Sequence, residues 1–226
     1  KSGESLYLRP FMMATEEHLG IKPSDQFKFM VLASPSGAYF TESSLKILIE
    51  RRSARASPGG TGYAKTGGNY AASLKSVLQA REEGYDQTLW LDACEQKYVE
   101  ELSGMNFFAV IDGVLQTPPV GETILDGITR KSLLQLAKHR GYEVLEKSLK
   151  IDELTGAIQE KRCTEAFSCG TAAIITPIGE LFEVDGTRYS LPKSFGPVAK
   201  ELRETLLAIQ EGRQDDPFGW VVSPNR

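Results

Sequence analysis

A glycine-dense segment, GGTGYAKTGG at residues 59–68, constrains the fold more than any other feature of the sequence. Glycine adopts positive φ angles and lets the backbone approach a ligand closely, so this segment predicts a loop of special conformation. Apolar residues then recur at helical spacing, which predicts a helix that is capped at Asn69 and stops at Gly84. The residues on its one apolar face are Tyr70, Leu74, Val77 and Leu78.

The lysine inside this loop, Lys65, allows more than one interpretation. Residues 59–66 read G-x-x-x-x-A-K-T, close to the phosphate loop of nucleoside triphosphatases, but Ala64 stands where that motif needs its last glycine. The run before it is basic and ends in proline, whereas the motif follows an apolar strand. The sequence therefore gives little support to a triphosphatase, and a solvated lysine on a surface loop is the plain alternative.

Composition excludes several classes of protein. The chain has 226 residues, a net charge of −4 and 41% hydrophobic residues, so it can build a sizeable core and lacks the basic surface of a nucleic-acid binder. No apolar run is long enough for a membrane span, and the start has no apolar signal core. The three cysteines, Cys94, Cys163 and Cys169, form neither a disulfide framework nor a metal motif, so we expect a cytoplasmic protein without a metal site.

Strands and helices are mixed without a strict βαβ repeat. The dipeptide Asp112-Gly113 lies between two β-prone runs and predicts a hairpin over residues 106–117 with a type I′ turn. Further strands are expected at 27–33, 45–49, 88–91, 143–146 and 172–178, and further helices at 129–139, 151–160 and 197–211. We therefore predict an α+β (mixed α/β) body over residues 45–226, with residues 1–44 as the remnant of a smaller β-containing domain.

Three other places carry groups that can do chemistry. Glu100 and Glu101 are paired carboxylates at a strand-to-turn transition, where neighbouring side chains point to opposite faces. Gly127 precedes a helix whose first amides suit an anion, and the small-residue turn at 168–173 could present further N–H groups. The ordinary alternatives are solvated glutamates, helix capping and a tight turn.

In this order and spacing, AKTGGNY, VEELSGMNFF, LDGITR and CGTAAIITP resemble the class IV aminotransferases, which use pyridoxal 5′-phosphate. The sequence is most similar to branched-chain amino-acid aminotransferases of the bacterial type. YLRPFMMATEEHLG, LASPSGAYF and FGPVAKELRETLLAIQEGR extend the likeness over essentially the whole chain. The resemblance implies fold type IV, with part of a small α/β domain and a large cofactor-binding domain that has a mixed or barrel-like sheet and flanking helices.

The resemblance also implies roles for individual residues. Lys65 matches the lysine that forms a Schiff base with the cofactor aldehyde and moves the Cα proton. Tyr70 matches a tyrosine at the cofactor's phenolic oxygen, and Glu101 matches the carboxylate partner of the pyridine nitrogen. The residues that match phosphate ligands are Ile128, Thr129, Gly170 and Thr171. Those that match substrate contacts are Tyr7, Arg9, Tyr39, Thr171 and Ala172.

The implied activity is transamination of leucine, isoleucine and valine with 2-oxoglutarate by a homodimer, with small amino acids and 2-oxo acids as partners. Two enzymes on the same fold, a D-amino-acid aminotransferase and an aminodeoxychorismate lyase, stay open as alternatives. A cofactor-free chain that serves only for assembly or anion binding is a third. The family has a further N-terminal segment with a phosphate-binding arginine, and since this sequence starts at Lys1 without it, we expect a longer parent protein.

Overall fold

The computed structural model describes residues 5–36 and 44–222. Contacts between residues divide the chain into two compact units, residues 1–41 and residues 42–226, and each is described by itself. Within the described ranges, no helix has both the length and the apolar character that a membrane crossing requires.

The smaller unit is a two-stranded antiparallel sheet of β1 (Ser5–Ala14) and β2 (Phe27–Ser36). The expected strand at 27–33 is confirmed, and the backbone stays extended beyond it through Ser36. Pro35 fits because an edge strand tolerates a missing N–H. One face of the sheet carries apolar side chains from both strands: Leu6, Leu8, Pro10, Met12, Ala14, Phe27, Phe29, Val31, Ala33 and Pro35. The opposite face carries Tyr7 and Arg9.

The larger unit contains a mixed sheet and helices that cover it. Its strands are β3 (Leu45–Glu50), β4 (Gln87–Leu91), β5 (Val99–Leu102), β6 (Asn106–Ile111), β7 (Val114–Thr117), β8 (Val144–Glu146), β9 (Cys163–Gly170), β10 (Ile174–Phe182) and β11 (Arg188–Ser190). Its helices are α1 (Gly67–Glu82), α2 (Ile128–His139), α3 (Ile151–Gln159) and α4 (Pro197–Gln210).

Strand pairing in the larger unit closes a ring. β3 pairs in parallel with β10 and β4, and β5 and β6 follow in antiparallel order. β9 then pairs with both β6 and β10, which joins the two ends through the six strands β10-β3-β4-β5-β6-β9. The expectation of a mixed, barrel-like core is therefore confirmed. Asp112 and Gly113 both have positive φ (52° and 80°), as the expected type I′ hairpin requires.

The hydrophobic core lies between the ring and the helices α2 and α4. Every residue of β6 is buried, and the rings of Phe108 and Phe167 stack with centroids 5.3 Å apart. Leu133 from α2 and Leu202 from α4 pack into the same cluster. Both helices bury the apolar faces that their periodicity predicts. Because α2 is held on the sheet by this packing, the position of its first turn is also fixed.

Helix α1 departs from the expectation. Two residues of its apolar stripe, Leu74 and Leu78, are 54% and 53% exposed. The residues it buries are Asn69, Ser73, Ser76, Val77 and Ala80. Small side chains allow the helix to pack closely against β4, and this packing outweighs the apolar pattern. The helix also starts earlier than expected, with Thr66 as its N-cap, because the Asn69 side chain is engaged elsewhere.

Candidate active site

The glycine-rich loop ahead of α1 is held by the side chain of Asn69. Its Nδ2 donates to the carbonyl oxygens of Thr61 at 2.7 Å and Ala64 at 2.8 Å. The Thr61 hydroxyl in turn donates to Asn69 Oδ1 at 2.7 Å. Because one buried amide satisfies backbone and side-chain groups on both sides of Tyr63, the loop has a defined conformation.

Glycine at position 62 allows this loop to dock on the segment before α2. A Cβ atom at Gly62 would lie 2.6 Å from both Thr123 Cα and Ala56 Cβ, so no other residue fits. On either side of it, the amides of Gly59 and Tyr63 donate to the Glu122 carboxylate and carbonyl oxygen. The close approach that the glycines predicted is therefore an approach of backbone to backbone.

Lys65 lies on the exposed side of the loop, next to Tyr70. Its Nζ donates a hydrogen bond to the Tyr70 hydroxyl and lies 4.7 Å from the centroid of that ring. Burial raises the pKa of Glu101, and the Lys65 charge is the weakest of the effects that oppose this rise. The structure thus places Lys65 against Tyr70, two of the three residues that the resemblance assigns to the cofactor ring.

Glu101 on β5 is buried with an arginine that the sequence reasoning missed. Arg55 Nη2 lies 2.8 Å from Glu101 Oε1, and the two side chains are only 5% and 6% exposed. Arg55 also donates to the carbonyl oxygen of Thr123. The only signal in the sequence was its place in a basic run before the glycine loop, which gives no reason to connect it with β5.

Burial changes the acidity of both glutamates. Desolvation raises the pKa of Glu101 to about 7, although the charges of Arg55 and Lys65 and a hydrogen bond from the Leu125 amide act against this rise. Burial also raises the pKa of Glu100, whose Oε2 has no hydrogen-bond partner among the described residues. The alternative of two solvated surface glutamates is therefore wrong. A carboxyl group with a pKa close to neutrality in a buried pocket is typical of functional sites.

Asn106, the first residue of β6, lies directly opposite Glu101 in the strand register. Its Nδ2 donates to Glu101 Oε2 and to the carbonyl oxygen of Leu125, both at 2.9 Å. A Cβ atom at Gly127 would overlap Asn106 Oδ1, so glycine is required there. The sequence reasoning missed Asn106, although its cross-strand position opposite Glu101 follows from the tight turn between β5 and β6.

The first turn of α2 follows this contact. Gly127 is the N-cap of the helix, and no side chain caps it. The first amides of a helix have no acceptor within it and carry the positive end of the helix dipole. Ile128 is 72% exposed, so the amides of Ile128 and Thr129 start a helix that is open to solvent.

The turn between β9 and β10 lies beside the turn that joins β5 and β6. β9 ends at Gly170, where a Cβ atom would approach Met105 Cγ to 3.3 Å. Thr171 and Ala172 form the turn, and β10 then begins at Ile174 with φ = 59°. A β-branched residue with positive φ is strained, and such strain clusters at functional sites. Since β9 pairs with β6 at Asn106, this turn and Glu101 are at the same end of the ring.

The remaining expected site residues belong to the smaller unit. The Arg9 guanidinium lies 5.0 Å from the centroid of the Tyr7 ring, on the face of the β1–β2 sheet opposite its apolar face. Tyr39 falls outside the described residues. In the described ranges, histidine, cysteine, aspartate and glutamate side chains form no group of three or more that could hold a metal ion.

The family model for class IV aminotransferases matches residues 1–181. The chain belongs to this family, which confirms the resemblance seen in its motifs. A probable branched-chain-amino-acid aminotransferase of Staphylococcus epidermidis is 47% identical over 223 residues, which are 97% of this chain and 62% of the relative. The chain thus spans about three fifths of the length of the curated relatives it matches.

Solved structures give the same result. The branched-chain amino acid aminotransferase of Escherichia coli superposes with a TM-score of 0.81 at 34% identity, over 95% of this chain and 69% of the other. That of Thermobaculum terrenum, solved in its PLP-form, gives 0.76 at 26% identity, over 92% and 65%. The fold is therefore that of the fold type IV branched-chain aminotransferases, and the comparisons do not favour the D-amino-acid aminotransferase or the lyase.

Proposed function

We propose that this chain carries the pyridoxal phosphate site of a branched-chain amino-acid aminotransferase. Such an enzyme transfers the amino group of leucine, isoleucine or valine to 2-oxoglutarate. The observation that carries the proposal is a buried carboxyl group, Glu101, at the end of the barrel where the uncapped start of α2 and the turn at Thr171 lie, together with an exposed lysine that donates to Tyr70. The names of the relatives support the substrate class.

The residues present fit this cofactor. A phosphate group needs several N–H donors, and the uncapped start of α2 and the turn at Thr171 offer them without a cluster of lysines. A protonated pyridine nitrogen needs an anion, and Glu101 is a buried carboxyl group with that capacity. When bound, the cofactor supplies an electron sink for the substrate's Cα carbanion.

Lys65 has two tasks in this proposal. Its amine would hold the cofactor at rest, and once free it would act as the base and acid that moves the proton of the substrate Cα. Tyr70 accepts the hydrogen bond from Nζ, so it fixes where the amine lies when it acts. Both residues are on the exposed side of the site, where a substrate can reach them.

Glu101 would hold a proton on the ring nitrogen of the bound cofactor. Burial makes this carboxyl group basic enough to share that proton, while the Arg55 charge keeps part of its anionic character. Ile128, Thr129, Gly170 and Thr171 would hold the phosphate. Thr171 and Ala172 would also meet the substrate carboxylate, and Tyr7, Arg9 and Tyr39 would face the substrate side chain. The homodimer likewise stays a prediction.

The test is retention of cofactor on Lys65. We expect the chain incubated with pyridoxal phosphate to convert leucine with 2-oxoglutarate. A separate portion reduced with borohydride should carry the cofactor on the peptide that contains Lys65. Lys65→Ala removes both properties, whereas Lys75→Ala, at another exposed lysine on α1, keeps them. Conversion of D-alanine but not leucine would favour the D-amino-acid alternative, and no retained cofactor would favour the cofactor-free chain.

A further inference from the structure

We propose that Asn106 is a positioning residue that couples the ring-nitrogen partner Glu101 to the phosphate-binding start of α2. Because the Asn106 side chain contacts both groups, tight binding of the phosphate would depend on where the Glu101 carboxyl group lies. The position of that carboxyl group would depend equally on the start of α2. The inference rests on the proposed function, because both ends of the coupling are cofactor contacts.

Hydrogen bonds fix the orientation of this amide. A side-chain amide has two N–H donors, and Asn106 uses both, one toward Glu101 Oε2 and one toward the carbonyl oxygen of Leu125. Both partners are acceptors, so the NH₂ group must face them, and a flipped amide would set oxygen against oxygen. The side chain therefore cannot relax without leaving buried polar groups unpaired.

The other end of the amide sets the position of the helix start. Asn106 Oδ1 lies so close to Gly127 that a side chain at 127 would overlap it. Leu125 and Gly127 are two of the three residues immediately before Ile128, the first residue of α2. A displacement of Asn106 would therefore move the N–H groups that are proposed to hold the phosphate.

Neither neighbour can take over this role. Arg55 bonds the other oxygen of Glu101, and its further contacts go to Thr123 and Gly62 rather than to Leu125 or Gly127. Thr117, which is also buried in this part of the sheet, donates its hydroxyl to the carbonyl oxygen of Phe107 at 2.7 Å and contacts neither cofactor end. Thr117→Val is thus a control that removes a buried hydrogen bond of similar kind.

The experiment compares two probes, pyridoxal phosphate and pyridoxal, which lacks the phosphate. The dissociation constant of pyridoxal divided by that of pyridoxal phosphate measures how much the phosphate contributes to binding. We expect this ratio to fall about tenfold in Asn106→Ala, as for the loss of one well-placed hydrogen bond to a charged group. Thr117→Val should leave it within about twofold, with a comparable loss of stability.

Asn106→Asp gives a second readout that a purely structural role would not move. The substitution keeps the shape but places a second carboxyl group beside Glu101, so the pH midpoint of the bound cofactor's absorbance should rise. This variant also tests the proposal if Asn106→Ala does not fold.

The outcomes separate the two proposals. An unchanged ratio together with an unchanged pH midpoint, in variants that bind cofactor, would overturn the role of Asn106 alone. Failure of the unsubstituted chain to bind pyridoxal phosphate would overturn the proposed function, and this inference with it.

Discussion

The two sides of the site are built in opposite ways. On one side, Lys65 lies exposed on a glycine-rich loop that a single amide, from Asn69, holds in shape. On the other side, Glu101 lies in the barrel wall, paired with Arg55 and shielded from water. The amine of Lys65, which is proposed to bind the cofactor, is thus accessible but contributes little to packing, whereas the carboxyl group that would tune the cofactor is part of the core.

This difference predicts where substitutions are costly. Changes on the exposed side should remove activity and leave the free energy of unfolding almost intact. Changes in the barrel wall should affect stability as much as chemistry, since a buried charge without its partner is strongly unfavourable. Substitutions on the two sides test this contrast, and Arg55→Leu should cause the largest change in stability and Lys65→Ala the smallest.

Arg55→Leu should lower the free energy of unfolding by about 3–5 kcal/mol at pH 8, because it leaves Glu101 as an uncompensated buried charge. Urea denaturation of the cofactor-free chain measures it. Arg55→Leu/Glu101→Leu, which removes both charges, should recover most of the loss. Arg162→Ala breaks exposed ion pairs with Asp112 and Glu160 and should cost less than about 1 kcal/mol. Equal losses in both arginine variants would contradict the contrast.

The stability of the cofactor-free chain should depend on pH through Glu101. Its pKa is about 7 in the folded chain against 4.5 for the free side chain, so the folded state binds this proton more tightly. The contribution of Glu101 to the free energy of unfolding is therefore constant below pH 4.5, falls between pH 4.5 and about 7, and stays low above that. Relative to Glu101→Gln, the free energy of unfolding of the unsubstituted chain should fall by about 3 kcal/mol in total across this window. If the two chains have parallel pH profiles, the pKa of Glu101 is the same in the folded and unfolded states.

Asn69→Ala should lower the free energy of unfolding by about 1–3 kcal/mol, since it removes two hydrogen bonds to the carbonyl oxygens of Thr61 and Ala64, each of which keeps only its backbone N–H donor. Limited proteolysis at residues 59–66 should accelerate, because the amide no longer holds the loop. The matched control is Gln135→Ala on the exposed side of α2. A loop that stays protected in Asn69→Ala would show that docking on Glu122 and Thr123 is sufficient.

Lys65→Ala should change the free energy of unfolding by less than about 0.5 kcal/mol, because the side chain is exposed, while transamination is lost. Thermal unfolding and a leucine assay on the same sample measure the two effects. A clear loss of stability would remove the distinction between an accessible reactive side and a structural one.

Much of the larger unit could be predicted from local pattern. The Asp112-Gly113 hairpin and helices α2 and α4 have strong periodic or turn signals, and the structure confirms them. β9 was missed because its sequence, CTEAFSCG, mixes charged and small residues that a closed ring buries on both faces. The buried face of α1 was also not predictable, since close packing against β4 selects small side chains over the leucine stripe.

The same distinction, between local pattern and contacts distant in sequence, applies to the residues of the site. Motifs along the chain point to Lys65, Glu101 and the two turns. Arg55 and Asn106 could not be found in this way, because their importance comes from contacts with groups on other strands and loops. A residue that acts through another leaves no pattern of its own in one sequence, unless the strand register is already known.

The cysteines give this protein a chemical signal of its own folded state. Cys163 and Cys169 are buried, and burial raises the pKa of the Cys163 thiol to about 12, so neither reacts readily while the chain is folded. Cys94 is exposed. A thiol reagent should therefore modify one sulfur per native molecule and three after unfolding, which counts unfolded molecules without any added label.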